Sequence, residues 1–367
     1  MPAEVFDQHW MRLALAEAAR ARPLSPPNPS VGAVIVRDGQ LIGRGYTQQV
    51  GGPHAEVMAL RDAKARGEPV EGATIYVTLE PCSHYGRTPP CAKALIEHKL
   101  ARVVIAVMDP NPMVAGRGAR MLREAGIEVV TGVCEDEAWH MNAGFLTRMR
   151  TGLPWVRLKV AATLDGRTAL EDGRSMWITG EAAREDNQHL RAAAGAIVTG
   201  IGTVLADNPR MNVRLPGQKR FPLKVVVDSY LETPAGAALF DDGQTLIAAA
   251  ADPDGRRAVL EAKGAEVIMP GADAAGHVDL GALLRELGRR EVNEVHLEAG
   301  ARLNGAFLEA DLVDEIVIYT APCFFGSGMP IAQIPAPAAP GEAPRWKILE
   351  NSLVGEDMRT VLIRRKK

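Results

Sequence analysis

The chain has 367 residues, an apolar share of 47% and a formal net charge of −3. That length exceeds the size at which one hydrophobic core usually keeps growing, so we expect two domains. The composition is that of a globular protein, and the near-neutral charge provides no basic field for gripping a polyanion. Nucleic acid is therefore not an expected partner.

The N-terminus and the cysteines indicate the compartment. Residues 1–10 carry Glu4 and Asp7 and lack the apolar stretch of a secretory signal, and the chain has no uncharged run of 18 residues. These features predict a cytoplasmic protein with no membrane partner. Cysteines of cytosolic proteins are normally reduced, so the neighbouring Cys82 and Cys91 indicate metal binding or catalysis rather than a disulfide.

In the first half of the chain, helical and strand patterns alternate. Residues 7–21 have the spacing of a helix, and a hairpin of strands 31–36 and 41–46 follows, turning at Asp38-Gly39. Further helices are predicted over residues 54–65, 90–99, 117–125 and 135–150, and further strands over 74–78 and 103–107. This alternation predicts a partly parallel sheet with helices on its faces.

A joint at Thr151-Gly152-Leu153-Pro154 precedes a second alternating series, so we predict domains over residues 1–150 and 151–367. Strands are predicted over 155–160, 196–199, 223–228, 245–249, 266–269, 294–297, 315–320, 345–353 and 358–364. Helices are predicted over 181–193, 253–263, 279–289 and 303–310, and a Pro- and Ala-rich surface loop over 334–344. Both halves are therefore expected to be α/β.

One imidazole and two thiols of the first half each come directly after a proline: His54, Cys82 and Cys91. Proline is favoured at helix starts, where the local positive potential stabilises thiolates. Three protein ligands leave the fourth position of a zinc ion open for water, as in catalytic sites. The pattern predicts one catalytic zinc per chain.

Glu56 follows the histidine by two residues and is well placed to move a proton between water and a leaving amine. His-x-Glu with a later Pro-Cys pair is the signature of zinc deaminases that act on cytosine or adenine rings. A structural zinc site with His84 as fourth ligand is the alternative, although its spacing from Cys82 is awkward. The segment 83–90 also widens the Pro-Cys-x-x-Cys spacing usual in deaminases.

In the second half, Gly200-Ile201-Gly202-Thr203 lacks the third glycine and the acidic partner of a dinucleotide-binding fingerprint. The strand at Val295 to Leu297 ends in Glu298-Ala299-Gly300 before a helix. Such a turn favours phosphate binding because unpaired backbone N–H groups and the helix dipole face the anion, though glycine there is often only a turn.

Three runs in the first half carry a resemblance to a known family: Pro27-Asn28-Pro29-Ser30-Val31-Gly32, the segment 81–91, and Asp109-Pro110-Asn111-Pro112. With them the chain resembles the bifunctional riboflavin biosynthesis deaminase/reductases over nearly its whole length. The resemblance implies a cytidine-deaminase-like α/β/α domain followed by a dihydrofolate-reductase-like α/β domain. It also implies small phosphorylated pyrimidine substrates and a homo-oligomer, a dimer or a tetramer.

The resemblance assigns roles in the first half. His54, Cys82 and Cys91 would bind zinc, Glu56 would transfer protons, and Asn28, His84 and Arg87 would contact the substrate. For Asn28, turn formation between prolines is the alternative.

In the second half, 164–169, Ser175-x-Trp177-Ile178-Thr179 and Asp207-Asn208-Pro209 resemble the reductase, which implies NADPH as cofactor. The implied cofactor residues are Ala161, Trp177, Thr203, Asp207, Ser229, Gly300, Ala301, Arg302, Leu303, Asn304, Gly305 and Ala306. The implied substrate residues are Ser175, Arg191, Met211, Arg214 and Glu298. Arginines suit a phosphorylated ribose because the guanidinium pairs with phosphate oxygens bidentately. The alternatives are a surface ion pair for Arg191, a silent surface position for Arg214 and core packing for Trp177.

Three other functions stay open at the level of sequence. The first is a deaminase of nucleosides or tRNA adenosine with an unrelated second domain, against which the long 83–90 segment and the near-neutral charge both count. The second is a zinc-stabilised scaffold without activity. The third is an enzyme with one inactive half.

Overall fold

Strands rich in valine and isoleucine, separated by helices, divide the chain into two units, Met1–Gly152 and Leu153–Lys367. The computed structural model describes residues 3–83, 90–111, 115–218 and 220–364. Each unit buries its own apolar clusters, so each has the core of an independent domain.

The first unit has a central sheet covered by helices. Its strands are β1 (Gly32–Arg37), β2 (Gln40–Tyr46), β3 (Thr74–Leu79), β4 (Arg102–Val107) and β5 (Glu128–Thr131). Its helices are α1 (Ala3–Ala21), α2 (Ala55–Ala65), α3 (Cys91–Glu97), α4 (Arg117–Glu124), α5 (Glu135–Met141) and α6 (Ala143–Thr151). The strand order is β2-β1-β3-β4-β5. β1 pairs antiparallel with β2 and β3, and β3, β4 and β5 are parallel.

The second unit is built on a longer mixed sheet. Its strands are β6 (Trp155–Thr163), β7 (Arg167–Leu170), β8 (Ala196–Gly200), β9 (Leu223–Val227), β10 (Thr245–Ala248), β11 (Ala265–Ile268), β12 (Glu294–Leu297), β13 (Glu315–Ala321), β14 (Gly328–Pro330), β15 (Trp346–Val354) and β16 (Asp357–Arg364). Its helices are α7 (Glu181–Ala193), α8 (Ile201–Asp207), α9 (Arg257–Glu261), α10 (Leu280–Arg289) and α11 (Ala301–Glu309).

The order in this sheet is β11-β10-β9-β8-β12-β6-β13-β16-β15, and β7 pairs separately with β14. The strands from β11 to β13 are parallel, and β16 and β15 complete the edge as an antiparallel hairpin. The predicted α/β class is confirmed in both units. Because parallel strands are buried on both faces, the polar loops at their carboxyl ends are the places left for a site.

Several predicted elements differ from the structure. The helix predicted over 135–150 is broken at Asn142, whose buried amide accepts from the Ser30 N–H at 2.7 Å and donates to the Ser30 carbonyl at 2.9 Å. The helix predicted over 253–263 is shortened to α9, and the Asp252 carboxylate accepts the N–H groups of Arg256 and Arg257 where this helix starts. Strands β5 and β7 and helix α8 were not predicted, since each is short.

Helix α11 packs closely on the segment around Gln333. The Gln333 N–H donates to the Ala301 carbonyl at 2.9 Å, and a methyl group added at Gly305 would lie 1.9 Å from the Gln333 carbonyl oxygen. By contrast, a methyl group at Gly202 in α8 would meet no atom within 4 Å.

We therefore expect Gly305→Ala to destabilise the second unit by about 1–3 kcal/mol, the usual cost of forcing extra volume into a packed site. Gly202→Ala is the matched control. It should leave stability unchanged or raise it, because alanine is favoured over glycine inside a helix by about 1 kcal/mol. Scanning calorimetry on both variants is the measurement, and equal melting temperatures would show that the close approach at Gly305 is not tight.

Candidate functional site

In the first unit, two helix starts and one strand end bring three metal-binding side chains together. His54 is the N-cap residue of α2, Cys91 is the first residue of α3, and Cys82 follows β3. The turn that carries Cys82 is fastened to α3, since the Ala92 N–H donates to the Cys82 carbonyl at 3.1 Å and the Cys91 N–H points at the Cys82 sulfur at 3.3 Å.

The ligand atoms of these three residues lie within 4.8 Å of one another. His54 Nδ1 is 3.6 Å from the sulfur of Cys82 and 3.3 Å from that of Cys91. Tetrahedral zinc with ordinary bond lengths separates a sulfur from a nitrogen ligand by about 3.6 Å. The arrangement therefore fits one zinc ion held by three protein ligands.

Glu56 lies in the first turn of α2, beside this cluster, and is 3% exposed. Burial raises its pKa to about 7, and the nearby charge of Cys82 acts in the same direction. At neutral pH both protonation states of this carboxyl group are accessible, which is what a group that takes and returns a proton requires. Hydrogen bonding with Cys91 lowers the pKa of Cys82 to about 4, so this ligand is readily a thiolate.

Of the other residues predicted in the first unit, Asn28 lies in a turn and His84 and Arg87 lie outside the described residues. The Asn28 N–H donates to the Ser25 carbonyl at 2.9 Å, so its backbone does form the turn considered above. Its side chain forms no hydrogen bond with the residues that the structure describes. The turn and a contact with a ligand are therefore compatible.

In the second unit, a cavity of about 1020 Å³ opens at the carboxyl ends of β6, β8, β9 and β12. Most of the residues predicted for cofactor and substrate line it: Ala161, Ser175, Trp177, Arg191, Thr203, Asp207, Arg214, Ser229, Glu298, Gly300, Ala301, Arg302, Leu303, Asn304 and Ala306. Gly305 and Met211 are the predicted residues that do not line it. Trp177 is 69% exposed, with the Arg184 guanidinium 4.7 Å from its ring centre, so it does not pack in a core.

The start of α11 forms one wall of the cavity. Gly300 is the N-cap residue, and no side chain caps this helix start. A methyl group at Gly300 would lie 3.8 Å from Thr203 Oγ1, an ordinary contact distance, so the starts of α8 and α11 lie side by side. Unpaired N–H groups at such a start suit a phosphate group.

Glu298 and Arg191 form a bidentate ion pair in the cavity wall. Arg191 Nε lies 2.6 Å from Glu298 Oε1, and Nη2 lies 2.7 Å from Oε2. The remaining Arg191 nitrogen, Nη1, donates to the Asn212 carbonyl at 3.0 Å. Although burial opposes it, the charge of Arg191 holds the pKa of Glu298 well below its usual range. Glu298 is therefore a carboxylate here.

Arg214 differs from Arg191 in having no ion pair with a described carboxylate. Its Nη1 donates to Asn212 Oδ1 at 2.9 Å, and its side chain is exposed. Asp207, the other acid predicted in this site, is exposed at the end of α8, and partial burial raises its pKa.

Lys159 and Asn187 also line the cavity but were not predicted. Lys159 lies in the buried strand β6, where burial lowers its pKa. A basic residue inside a mostly apolar strand is the signal that could have identified it, although Arg157 in the same strand gives the same signal and pairs with Glu294 and Glu315. Asn187 belongs to a polar face of α7 that is buried, and a polar helix face cannot be recognised as buried from sequence alone.

Two family models match the chain. The cytidine and deoxycytidylate deaminase zinc-binding region matches residues 4–107, and the RibD C-terminal domain matches residues 154–359. Together they cover both units.

Relatives match over nearly the full length. The Escherichia coli K12 riboflavin biosynthesis protein RibD is 45% identical over 366 residues, covering 96% of this chain and 98% of the relative. The Acinetobacter baumannii RibD structure, form 1, has a TM-score of 0.88 at 42% identity and covers 99% of this chain and 100% of that one. A Thermotoga maritima diaminohydroxyphosphoribosylaminopyrimidine deaminase/5-amino-6-(5-phosphoribosylamino)uracil reductase has a TM-score of 0.87 at 31% identity, covering 98% of this chain and 99% of that one.

No helix among the described residues is long and apolar enough to cross a membrane.

Proposed function

The chain belongs to the RibD family of bifunctional riboflavin biosynthesis enzymes, and we propose that each unit carries one of the two activities. The first unit deaminates 2,5-diamino-6-(5-phosphoribosylamino)pyrimidin-4(3H)-one by hydrolysis. The second reduces the ribosyl chain of the resulting uracil derivative with NADPH. The observation that carries this proposal is a candidate three-ligand metal cluster with a buried acid in one unit and a large cavity beside an uncapped helix start in the other.

His54, Cys82 and Cys91 hold the zinc ion of the deaminase. Their separations fit tetrahedral coordination, and the three-ligand set leaves one position for solvent. Zinc at this position supplies a Lewis acid that activates water at neutral pH.

Glu56 is the proton carrier of the deamination. Its buried carboxyl group, with a pKa of about 7, takes a proton at one stage and gives one to the leaving amine at another. Asn28, with its side-chain amide unpaired among the described residues, is proposed to hydrogen-bond the pyrimidine. His84 and Arg87 are proposed as substrate contacts on family resemblance alone.

In the second unit, the start of α11 is proposed to hold the phosphates of NADPH, with Thr203, Ser229 and Trp177 along the same cavity. The cofactor supplies a hydride, and the protein has to align C1′ of the opened ribosyl chain with it. Arg214 suits the substrate phosphate because no described carboxylate competes for it. Arg191 already forms a bidentate ion pair with Glu298, so its proposed role is to hold that carboxylate in place.

The first prediction from the proposed function is that the purified protein carries about one zinc ion per chain, because the three ligands form a single site. Cys82→Ser should lower the zinc content and abolish deamination. Cys134→Ser is the matched control, since Cys134 lies outside the cluster, and it should keep both. Metal analysis is the measurement, and a wild-type protein that deaminates without zinc would rule out this mechanism.

The second prediction is that Glu56→Gln keeps zinc but loses deaminase activity by about 10²–10⁴-fold, the usual worth of general acid–base catalysis. The amide has the shape of the carboxyl group but cannot relay protons. Glu97→Gln on the exposed side of α3 is the control and should be silent. A loss smaller than about tenfold would remove Glu56 from the mechanism. A zinc-stabilised scaffold without activity would show no deamination in the wild-type protein either.

The third prediction concerns Arg214. Arg214→Gln should raise KM for the phosphorylated uracil substrate and leave ammonia release in the first unit intact, because it removes binding rather than chemistry. Arg210→Gln is the matched control, since Arg210 is 60% exposed, pairs with Asp241 and does not line the cavity. Steady-state kinetics of both half-reactions decides the matter. Equal KM values for the two variants would remove Arg214 from the phosphate site.

A further inference from the structure

A buried histidine lies directly beneath the Glu298 carboxylate. His296 is on β12, two residues before Glu298 and on the same side of the strand, and it is 0% exposed. We propose that His296 is a positioning residue of the reductase, which fixes Glu298 to the sheet so that only Oε2 remains available to the substrate. This inference rests on the reductase activity proposed above.

The hydrogen bonds around His296 determine where its proton lies. Nε2 is 2.9 Å from Glu298 Oε1 and 3.1 Å from Asn187 Oδ1, and both of these atoms are acceptors. Nδ1 has no hydrogen-bond partner among the described residues. A neutral imidazole therefore carries its hydrogen on Nε2, because the other tautomer would point a lone pair at the carboxylate. Burial lowers the pKa of His296 although the Glu298 carboxylate acts in the opposite direction, and the charges of Arg157 and Arg191 add to the effect of burial.

The donors are distributed unequally between the two oxygens of Glu298. Oε1 faces three of them: His296 Nε2, Asn187 Nδ2 at 3.2 Å and Arg191 Nε. Within the described part of the chain, Oε2 accepts from Arg191 Nη2 alone. Because a carboxylate oxygen has about two lone-pair sites, Oε1 is saturated and Oε2 keeps one acceptor site.

His296 adds something that Arg191 cannot supply. The guanidinium reaches Glu298 from another element, α7, whereas the short imidazole joins the carboxylate to its own strand. Asn187, also on α7, completes the connection by bonding both His296 and Glu298. The Glu298 carboxylate is thus held by His296 on the sheet and by Arg191 and Asn187 on helix α7.

The same arrangement determines what Glu298 can do. The charge and hydrogen bonds of Arg191, with the hydrogen bond from His296, keep it ionised although burial opposes this. Lys159 on β6 and Arg214 are the other cationic groups near it. An ionised, oriented Oε2 accepts a hydrogen bond from a substrate hydroxyl or amine group. Orientation by His296 should therefore appear in kcat for the reduction and not in cofactor binding.

The test compares His296→Leu, which removes the donor, with His296→Gln, whose amide nitrogen reaches the position of Nε2. We expect His296→Leu to lower kcat/KM for the uracil ribotide by about tenfold, mainly through kcat, and His296→Gln to stay within about threefold of wild type. The dissociation constant for NADPH, measured by fluorescence titration, should be unchanged in both. Should the leucine variant not fold, His296→Asn replaces it, since its shorter amide is polar but falls short of Glu298.

Thr199→Val is the matched control, because Thr199 is buried on the neighbouring strand β8 and its hydroxyl has no partner among the described residues. It should leave all the constants unchanged. Wild-type kcat in His296→Leu, or an equal loss in His296→Gln and His296→Leu, would overturn the positioning role. Absence of NADPH-dependent reduction by the unmodified protein would instead overturn the proposed function, and the inference with it.

Discussion

Both candidate sites depend on one constraint, which is that a parallel sheet covered on both faces is open to a ligand mainly at its strand ends. In the first unit, Cys82 follows β3, and the two other ligands lie at the starts of α2 and α3. In the second, Glu298 follows β12 and Gly300 begins α11. Helix starts meet the strand ends in these places, so backbone N–H groups and partial positive charge are already present for thiolates or phosphates. The other strands and helices of each unit hold these strand ends and helix starts in position.

The carboxyl groups of Glu56 and Glu298 show how environment gives two acids different roles. No cationic side chain among the residues that the structure describes is bonded to Glu56, and burial raises its pKa to about 7, so it can exchange a proton at neutral pH. Glu298 is bonded by Arg191, Asn187 and His296, and its pKa is held well below the usual range. Glu56 is therefore suited to transfer protons, and Glu298 is suited to hold a fixed negative charge in the cavity.

Much of this could be predicted from the sequence, because the relevant signals are local. The order His54, Glu56, Cys82 and Cys91 indicates a metal site by residue type and spacing alone, and the alternation of apolar runs gives the α/β class. What could not be predicted depends on contacts between distant residues. Asn142 interrupts the predicted helix because its side chain hydrogen-bonds Ser30. The Arg191 guanidinium is paired with Glu298, which is 107 positions away in the sequence. His296 has the appearance of an ordinary strand residue until Glu298 and Asn187 are seen around it.

The central claim is that one chain performs both reactions in sequence, and the most direct test is product analysis by mass. Purified protein is incubated with the diaminopyrimidine ribotide, with and without NADPH. The account predicts a gain of about one mass unit without NADPH, as an amine is replaced by oxygen, and a further gain of about two when NADPH is present, from reduction. No mass change under either condition, or a gain of two units without the first step, would contradict it.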